Sequence, residues 1–195
     1  MTLRCVAAAD IAAQAWRNGG GRTRELLAWP APDDWTMRVS VAGIDTDGPF
    51  SAFPGVERWF AVVEGAGVML AFGGVERRVV AGDAPLRFDA APAPRCRLID
   101  GPTVDLNLML RGGRGVMQPA KSGVAWEAAS AVRALFAAVA GLWQGPGETM
   151  RVAPRTLAWT DAAPDALGAW TFVADVPGPT VAGWWLGYSP DRAPA

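Results

Sequence analysis

Polar and apolar residues alternate along two short segments of the chain. In Arg38-Val39-Ser40-Val41 every second side chain is polar, and in Asp105-Leu106-Asn107-Leu108-Met109-Leu110-Arg111 three leucines separate the other residues. Because successive side chains of a β-strand point to opposite faces, this period of two predicts two strands with one apolar face each. Strands of this kind fit an antiparallel sheet whose two faces have different surroundings.

Glycine and proline interrupt the chain at short intervals, and the segments between them have the length of strands. We expect Trp59–Glu64 and Val68–Phe72 to form a hairpin across Gly65-Ala66-Gly67, since glycine readily takes the positive φ of a tight turn. A further strand is predicted at Glu76–Val80, before the turn Ala81-Gly82-Asp83. Many short strands of this kind predict an all-β chain that closes into a sandwich or barrel.

The second half of the chain is more apolar and gives a weaker pattern. Ala125–Gly141 has an alanine content that favours helix, yet its last part, Ala134–Gly141, suits a buried strand. We interpret it as strand, in the place that a central strand occupies in the first half. The flexible run Gly112-Gly113-Arg114-Gly115 marks a boundary, so the predicted domains are residues 1–114 and a degenerate second half, residues 115–195.

Composition and charge limit the function classes. The chain has 195 residues, 18 basic and 19 acidic side chains, a net charge of −1 and no histidine. This balance does not favour nucleic acid or an anionic membrane as a partner, and no uncharged run reaches the ~20 residues of a spanning helix. Cys5 and Cys96 are too few for a disulfide framework or a metal site. We therefore expect a soluble, cytoplasmic protein.

The segment from Ser51 to Gly67 resembles the first motif of the cupin barrel, in which a ligand cluster, a strand and a glycine-rich turn follow one another. Metal-bearing cupins place two histidines and a glutamate before the strand, and here the glutamate position holds Arg58. The two histidine positions fall at Ser51 and Phe53 or at Ala52 and Pro54. In the second motif, Pro85 stands at the histidine position. We predict a cupin-type pocket without a metal and without a cofactor.

Four longer blocks resemble the signature of the HutD/Ves family. They are Trp16–Glu25, Arg38–Ala42, Asp47–Gly55 and Gly101–Met109. The resemblance implies a cupin-like fold with two β-barrel halves of the jelly-roll type in one chain. Bacterial members of the family often accompany histidine-utilisation genes, which implies a binder or governor of an intermediate such as N-formylglutamate or urocanate.

Polar residues of these blocks form the candidate ligand site. Arg58 stands at a position that faces the cavity in cupins. If the leucines of Leu106–Leu110 pack between the barrel halves, Asp105 and Asn107 face the pocket, where Arg38 and Arg58 are the available cations. The run Asn18-Gly19-Gly20-Gly21 is either a tight turn or a loop that presents backbone N–H groups to an anion. The predicted ligand-binding residues are Asn18, Thr23, Glu25, Arg38, Ser40, Ser51, Phe53, Arg58, Asp105 and Asn107.

Two classes of function fit this set of residues. The first is a non-catalytic protein that binds a small anionic carboxylate metabolite, since two arginines, a serine and an asparagine suit such a ligand. The alternative is a metal-independent isomerase or hydrolase with Glu25 or Asp105 as general base, which requires a carboxylate of raised pKa. We favour the binding protein and assign no catalytic residue. Whether the chain forms a homodimer stays open.

Overall fold

The computed structural model describes residues 3–127, 129–162, 168–176 and 181–191. Over these residues the chain forms β-strands, two short 3-10 turns at Ala8–Asp10 and Pro32–Asp34, and no α-helix. None of the helical segments in the described part of the chain has the length and apolar character to cross a membrane. The strands of the first 112 residues are β1 Arg4–Ala7, β2 Gln14–Ala15, β3 Gly21–Trp29, β4 Met37–Ile44, β5 Gly48–Pro49, β6 Glu57–Glu64, β7 Val68–Phe72, β8 Val75–Val79, β9 Leu86–Asp89, β10 Arg95–Leu98 and β11 Thr103–Leu110. The later strands are β12 Arg114–Ala120, β13 Ala125–Trp126, β14 Val132–Ala137, β15 Gly141–Gly145, β16 Glu148–Val152, β17 Thr156–Thr160, β18 Trp170–Ala174 and β19 Gly183–Ser189.

The chain divides into two compact units. The first unit is residues 11–112, and the second unit is residues 113–195 together with residues 1–10. The predicted boundary at residue 114 lies close to this division, but the prediction placed residues 1–10 in the first domain, whereas they group here with residues 113–195. Strand β1 pairs with β17, with Arg4 opposite Trp159. This pairing satisfies backbone groups at the edge of a sheet, and no local sequence pattern reveals so distant a partner.

The first unit consists of two antiparallel sheets. One has the strand order β2-β3-β4-β11-β6-β9 and the other has the order β5-β10-β7-β8. Its apolar core includes the buried side chains Ile44, Phe60, Val62, Leu70 and Cys96. The two segments with alternating polarity lie in β4 and β11, which are neighbouring strands. Residues 38–111 contain strands and turns without a helix, as predicted.

The glycines after β6 form a corner between the sheets. Strand β6 pairs with β9 and β11, whereas β7 pairs with β8 and β10, so the predicted hairpin of β6 with β7 is wrong. Gly65 and Gly67 have φ of +91° and +96°, and a Cβ on them would lie 2.6 and 2.3 Å from backbone oxygens of Pro102 and Val79. Only glycine fits both the positive φ and this close approach. The tight hairpin of this region instead joins β7 to β8.

The second unit also consists of two antiparallel sheets, with the orders β1-β17-β14-β19-β12 and β13-β18-β15-β16. The strand interpretation holds for the first half of Ala134–Gly141, which lies in β14, and β15 begins at Gly141. Indole rings fill the core of this unit. Trp126 stacks on Trp185 with 5.0 Å between ring centroids, and the edge of one ring meets the face of the other where Trp143 contacts Trp170, at 5.1 Å. Two barrel-like halves in one all-β chain confirm the predicted fold class.

Candidate functional site

A cavity of about 440 Å³ opens in the first unit, on one face of its larger sheet. Strands β4, β11 and β6 form its floor. Ser40, Asn107 and Phe60 lie opposite one another across these strands and therefore share the cavity face. The described residues that line the cavity are Gln14, Ala15, Trp16, Arg17, Asn18, Thr23, Arg38, Ser40, Ala42, Pro49, Phe50, Ser51, Phe53, Arg58, Asn107 and Met109.

Arg58 is the deepest cation of the cavity. Its side chain is 7% exposed, and its Nε and Nη2 both donate to Oδ1 of Asn107, at 2.8 and 2.5 Å. The guanidinium carbon lies 4.4 Å from the ring centroid of Phe50 and within 6 Å of those of Phe60 and Phe88. These rings attract the cation through their faces. Burial lowers the pKa of Arg58 to about 10, against the attraction of Asp105, so the side chain is charged at neutral pH.

Asp105 lies behind Asn107, on the same face of β11. It is 1% exposed, and its Oδ1 accepts a hydrogen bond of 2.5 Å from Nδ2 of Asn107. Its Oδ2 is buried and has no hydrogen-bond partner among the described residues. Burial raises the pKa of Asp105 to about 7, while the charge of Arg58 and the hydrogen bond from Asn107 oppose the shift. Asn107 therefore connects a buried cation to a buried carboxyl group.

Arg38 is the second cation of the floor, on the other side of Met109 from Arg58. Both arginines are register partners of Met109, so they lie two strand spacings apart, about 10 Å between backbones. The Nε of Arg38 contacts Oε2 of Glu25 at 2.5 Å, and the Arg38 side chain is 19% exposed. Arg38 is thus paired with a carboxylate that lies outside the cavity lining, whereas no carboxylate of the described residues forms a salt bridge with Arg58.

The segment 14–18 forms one wall of the cavity. Trp16 anchors it, since its Nε1 donates to Oγ1 of Thr23 at 2.7 Å and its ring meets Phe50 edge-on at 6.4 Å. Oδ1 of Asn18 accepts from the N–H of Gly20 at 3.0 Å. This bond closes a turn, which decides between the two readings of the glycine run: the loop is a tight turn, and its glycines do not line the cavity. The wall contributes a third guanidinium, that of Arg17.

Comparison with known proteins establishes the relatives of the chain. The HutD family model matches residues 8–166. Protein Ves of Citrobacter koseri is 31% identical over 148 residues, which cover 75% of this chain and 77% of that protein.

The chain belongs to the HutD family. Solved structures agree on the fold of this HutD-family protein. HutD from Pseudomonas fluorescens SBW25 matches it with a TM-score of 0.82 at 23% identity, over 96% of this chain and 98% of that chain. A variant of the oxalate decarboxylase OxdC from Bacillus subtilis matches with a TM-score of 0.60 at 9% identity, over 97% of this chain and 78% of that chain. These likenesses show the cupin-like double barrel.

Most residues of the predicted site come together in this HutD-family cavity. Eight of the ten line it, and they are Asn18, Thr23, Arg38, Ser40, Ser51, Phe53, Arg58 and Asn107. Glu25 and Asp105 lie outside the lining, where each contacts a lining residue instead. The sequence reasoning missed Arg17 and Trp16. Both fall within the Trp16–Glu25 family block, which was the available signal for them.

The donor set of the cavity does not fit the metal site that the cupin motif would predict. Within the described ranges, no three His, Cys, Asp or Glu side chains lie together in a way that could hold an ion. The side chain at the predicted glutamate position, Arg58, has donors only and carries a positive charge, so it repels a cation. We therefore derive no chemistry through a metal.

Proposed function

We propose that this HutD-family protein binds a small carboxylate metabolite and does not transform it. The observation that carries the proposal is that the buried guanidinium of Arg58 uses only part of its hydrogen-bonding capacity on described residues. Its guanidinium is buried, uses Nε and Nη2 on Asn107, and forms no hydrogen bond from Nη1 to a described residue. Arg58 also lines the cavity, so a ligand there can supply the missing acceptor. A carboxylate is the partner for which a guanidinium is best suited, through charge-assisted hydrogen bonds.

The other residues that line the cavity also favour an anionic ligand. Three arginines line the cavity, and none of the described lining residues is an aspartate or a glutamate. Ser40, Ser51 and Thr23 add neutral hydroxyl groups that can accept or donate hydrogen bonds. A volume of about 440 Å³ is in the range of sites for small molecules.

The proposed setting is histidine utilisation, where the protein would act as a governor that senses N-formylglutamate or urocanate. Membership of the HutD family supports the setting, and the cationic cavity supports the ligand class. N-formylglutamate matches the cavity in one further respect. It has two carboxylates for the two arginines of the floor, and its formylated nitrogen carries no positive charge that would require an acid in the wall.

A catalytic role has less support, because the two candidate general bases do not reach the cavity. Glu25 is held by Arg38, and Asp105 lies behind Asn107. A general base has to come within hydrogen-bond reach of the proton that it abstracts. We therefore propose binding without turnover, and a chemically unchanged ligand after prolonged incubation supports that part of the proposal.

Calorimetric titration of N-formylglutamate, urocanate and glutamate against the wild type and Arg58→Met tests the proposal. We expect N-formylglutamate to bind best and glutamate to bind least, because the α-ammonium group of glutamate meets only cations and neutral groups. The Arg58→Met substitution should weaken binding by on the order of 2–4 kcal/mol, which is about 30- to 1000-fold.

Two further variants separate binding from folding. Arg58→Lys keeps the charge and loses the planar fork, so it should bind more weakly than wild type while remaining folded. Arg97→Met removes an exposed arginine on β10, away from the cavity lining, and should bind like wild type. Equal affinity of wild type and Arg58→Met for all three compounds would overturn the proposed function.

A further inference from the structure

Arg58, Asn107 and Asp105 form a continuous buried chain of hydrogen bonds that begins at the cavity. Arg58 has only donors, so the Asn107 atom that it contacts is Oδ1, and the amide nitrogen of Asn107 has to face Asp105. Asp105 thereby fixes the orientation of Asn107, and Asn107 fixes two of the three guanidinium nitrogens of Arg58. Asp105 is a positioning residue for the cation that we propose as the anchor of the ligand.

Apart from Arg58 and Asn107, the described residues around Asp105 do little to stabilise its negative charge. Its register partners on the neighbouring strands, Ala42 of β4 and Val62 of β6, are apolar. Its carboxyl group interacts electrostatically with Arg58 of β6 and with Cys96 of β10. The pKa of the Cys96 thiol is raised to about 12 by burial, by Asp105 and by Asp47, so the thiol is neutral.

The other charged groups near this chain act on Arg58 or pair with each other. Arg38 of β4 repels Arg58 and is paired with Glu25 of β3. Above pH 7 the buried cluster of the free protein therefore holds one cation and one carboxylate, and the charge of Arg58 is balanced from within.

A carboxylate that binds to Arg58 adds a second negative charge to a cluster with one cation. We propose that Asp105 takes up one proton from solvent when a carboxylate binds to Arg58, so that ligand binding is coupled to protonation at a buried acid. The proton goes to Oδ2, the oxygen without a partner, because Oδ1 continues to accept from Asn107. This inference rests on the proposed function and adds a regulation by pH to the same site.

The acidity of Asp105 sets the pH window of the effect. Burial raises the pKa of Asp105 to about 7 in the free protein, and a second negative charge nearby raises it further. Below pH 7 the group is protonated before and after binding, so the affinity does not change with pH. Above pH 7 ligand binding requires the uptake of a proton from solvent, and the affinity falls about fivefold between pH 7 and pH 8. The chain contains no histidine, the side chain that ordinarily titrates in this range.

Titration calorimetry in buffers of different ionisation enthalpy measures the proton directly. At pH 7.5 the heat of N-formylglutamate binding should vary with the ionisation enthalpy of the buffer, with a slope on the order of 0.7 proton taken up per ligand. The carboxylates of the ligand titrate near pH 4 and supply none of this signal. If N-formylglutamate does not bind, acetate at higher concentration serves as the probe.

The variant Asp105→Asn keeps an oxygen for the Asn107 hydrogen bond and removes the titrating group. We expect it to bind with no proton slope and with equal affinity at pH 7 and pH 8, after circular dichroism has shown that it is folded. The matched control Asp100→Asn removes an exposed acid and should keep the wild-type slope. If Asp105→Asn does not fold, the test rests on the wild type alone. Its proton uptake and the change of its affinity between pH 7 and pH 8 then support or overturn the coupling.

The outcomes separate this inference from the proposed function. Binding of either carboxylate to the wild type without proton uptake between pH 7 and 8 overturns the coupling and leaves the binding function intact. A proton slope that persists in folded Asp105→Asn also overturns it. Failure of both carboxylates to bind overturns both proposals.

Discussion

The two units of this HutD-family protein share a barrel-like pair of sheets and fill it differently. In the first unit the central strands carry polar residues on the face toward the interior, and a cavity remains there. In the second unit the corresponding space is packed with Trp126, Trp143, Trp170 and Trp185. Buried hydrophobic surface of this extent stabilises a unit strongly. The fold alone therefore does not make a binding site. The side chains that face the interior determine whether the unit contains a cavity or a packed core.

Among the described residues each unit holds one buried arginine, and the two have different surroundings. Arg58 of the first unit is held by the side chain of Asn107 and lines a cavity. Arg133 of the second unit donates from Nη2 to the carbonyl oxygen of Ala162 at 3.1 Å and lies 5.4 Å from the ring of Trp170. The side-chain acceptor of Arg58 is itself hydrogen-bonded to the carboxyl group of Asp105, so this cation is connected to a titratable group. We infer that the first unit carries the function and that the second unit contributes stability.

The largest expected effect is on the tryptophan core. Trp170→Ala should lower the free energy of unfolding by about 3–5 kcal/mol, because it removes a ring that contacts three other indoles. Urea unfolding followed by far-ultraviolet circular dichroism measures this. Trp59→Ala is the control in the first unit, where the ring is half-buried, and it should cost less. A loss below about 1 kcal/mol in Trp170→Ala would contradict the assignment of stability to this core.

A smaller effect is expected at the second arginine of the cavity floor. Arg38→Ala should weaken N-formylglutamate binding by about 5- to 30-fold, less than Arg58→Met, since Arg38 is more exposed and already shares its charge with Glu25. The matched variant Glu25→Gln releases that charge and should strengthen binding. Calorimetric titration of both variants checks the pair. Weaker binding in Glu25→Gln would mean that Glu25 positions Arg38 more than it neutralises it.

The smallest expected effect belongs to the cavity wall. Arg17 is exposed, so Arg17→Ala should reduce the affinity less than about fivefold. The difference from wild type should disappear in 0.5 M salt, because exposed charges are screened beyond a few ångströms at high ionic strength. Titrations at low and high salt measure this. A loss as large as that of Arg58→Met would show that the wall closes on the ligand more tightly than the floor holds it.

The sequence predicted the fold and half of the residues that line the cavity, because period-two alternation carries direct geometric information. Arg38, Ser40 and Asn107 had to share a face once β4 and β11 were neighbours in register, and Arg58 joined them through its motif position. Asp105 obeys the same alternation and still misses the cavity. Alternation predicts on which face of the sheet a side chain lies. It does not predict whether a neighbouring side chain, such as that of Asn107, separates it from the cavity.

Other features depended on contacts that no local pattern contains. The glycines Gly65 and Gly67 signalled a turn correctly, but a turn between two sheets and a turn within one sheet need the same backbone freedom. Arg17 stands next to a glycine run, and its local sequence does not mark it as a cavity residue. It lines the cavity because Trp16, its neighbour, is tied to Thr23.

The pairing of β1 with β17 has a consequence for the order in which the protein forms. Arg4 lies opposite Trp159, so the ribosome synthesises about 150 further residues before the partner of β1 exists. Until then β1 has an unpaired edge on the growing chain, and the first unit can form its own sheets from residues that are already present. The second unit is completed only when synthesis is well past its middle. A fragment that starts at Gly113 therefore lacks a strand of its own sheet, and expression of this unit alone requires residues 1–10 to be joined to it.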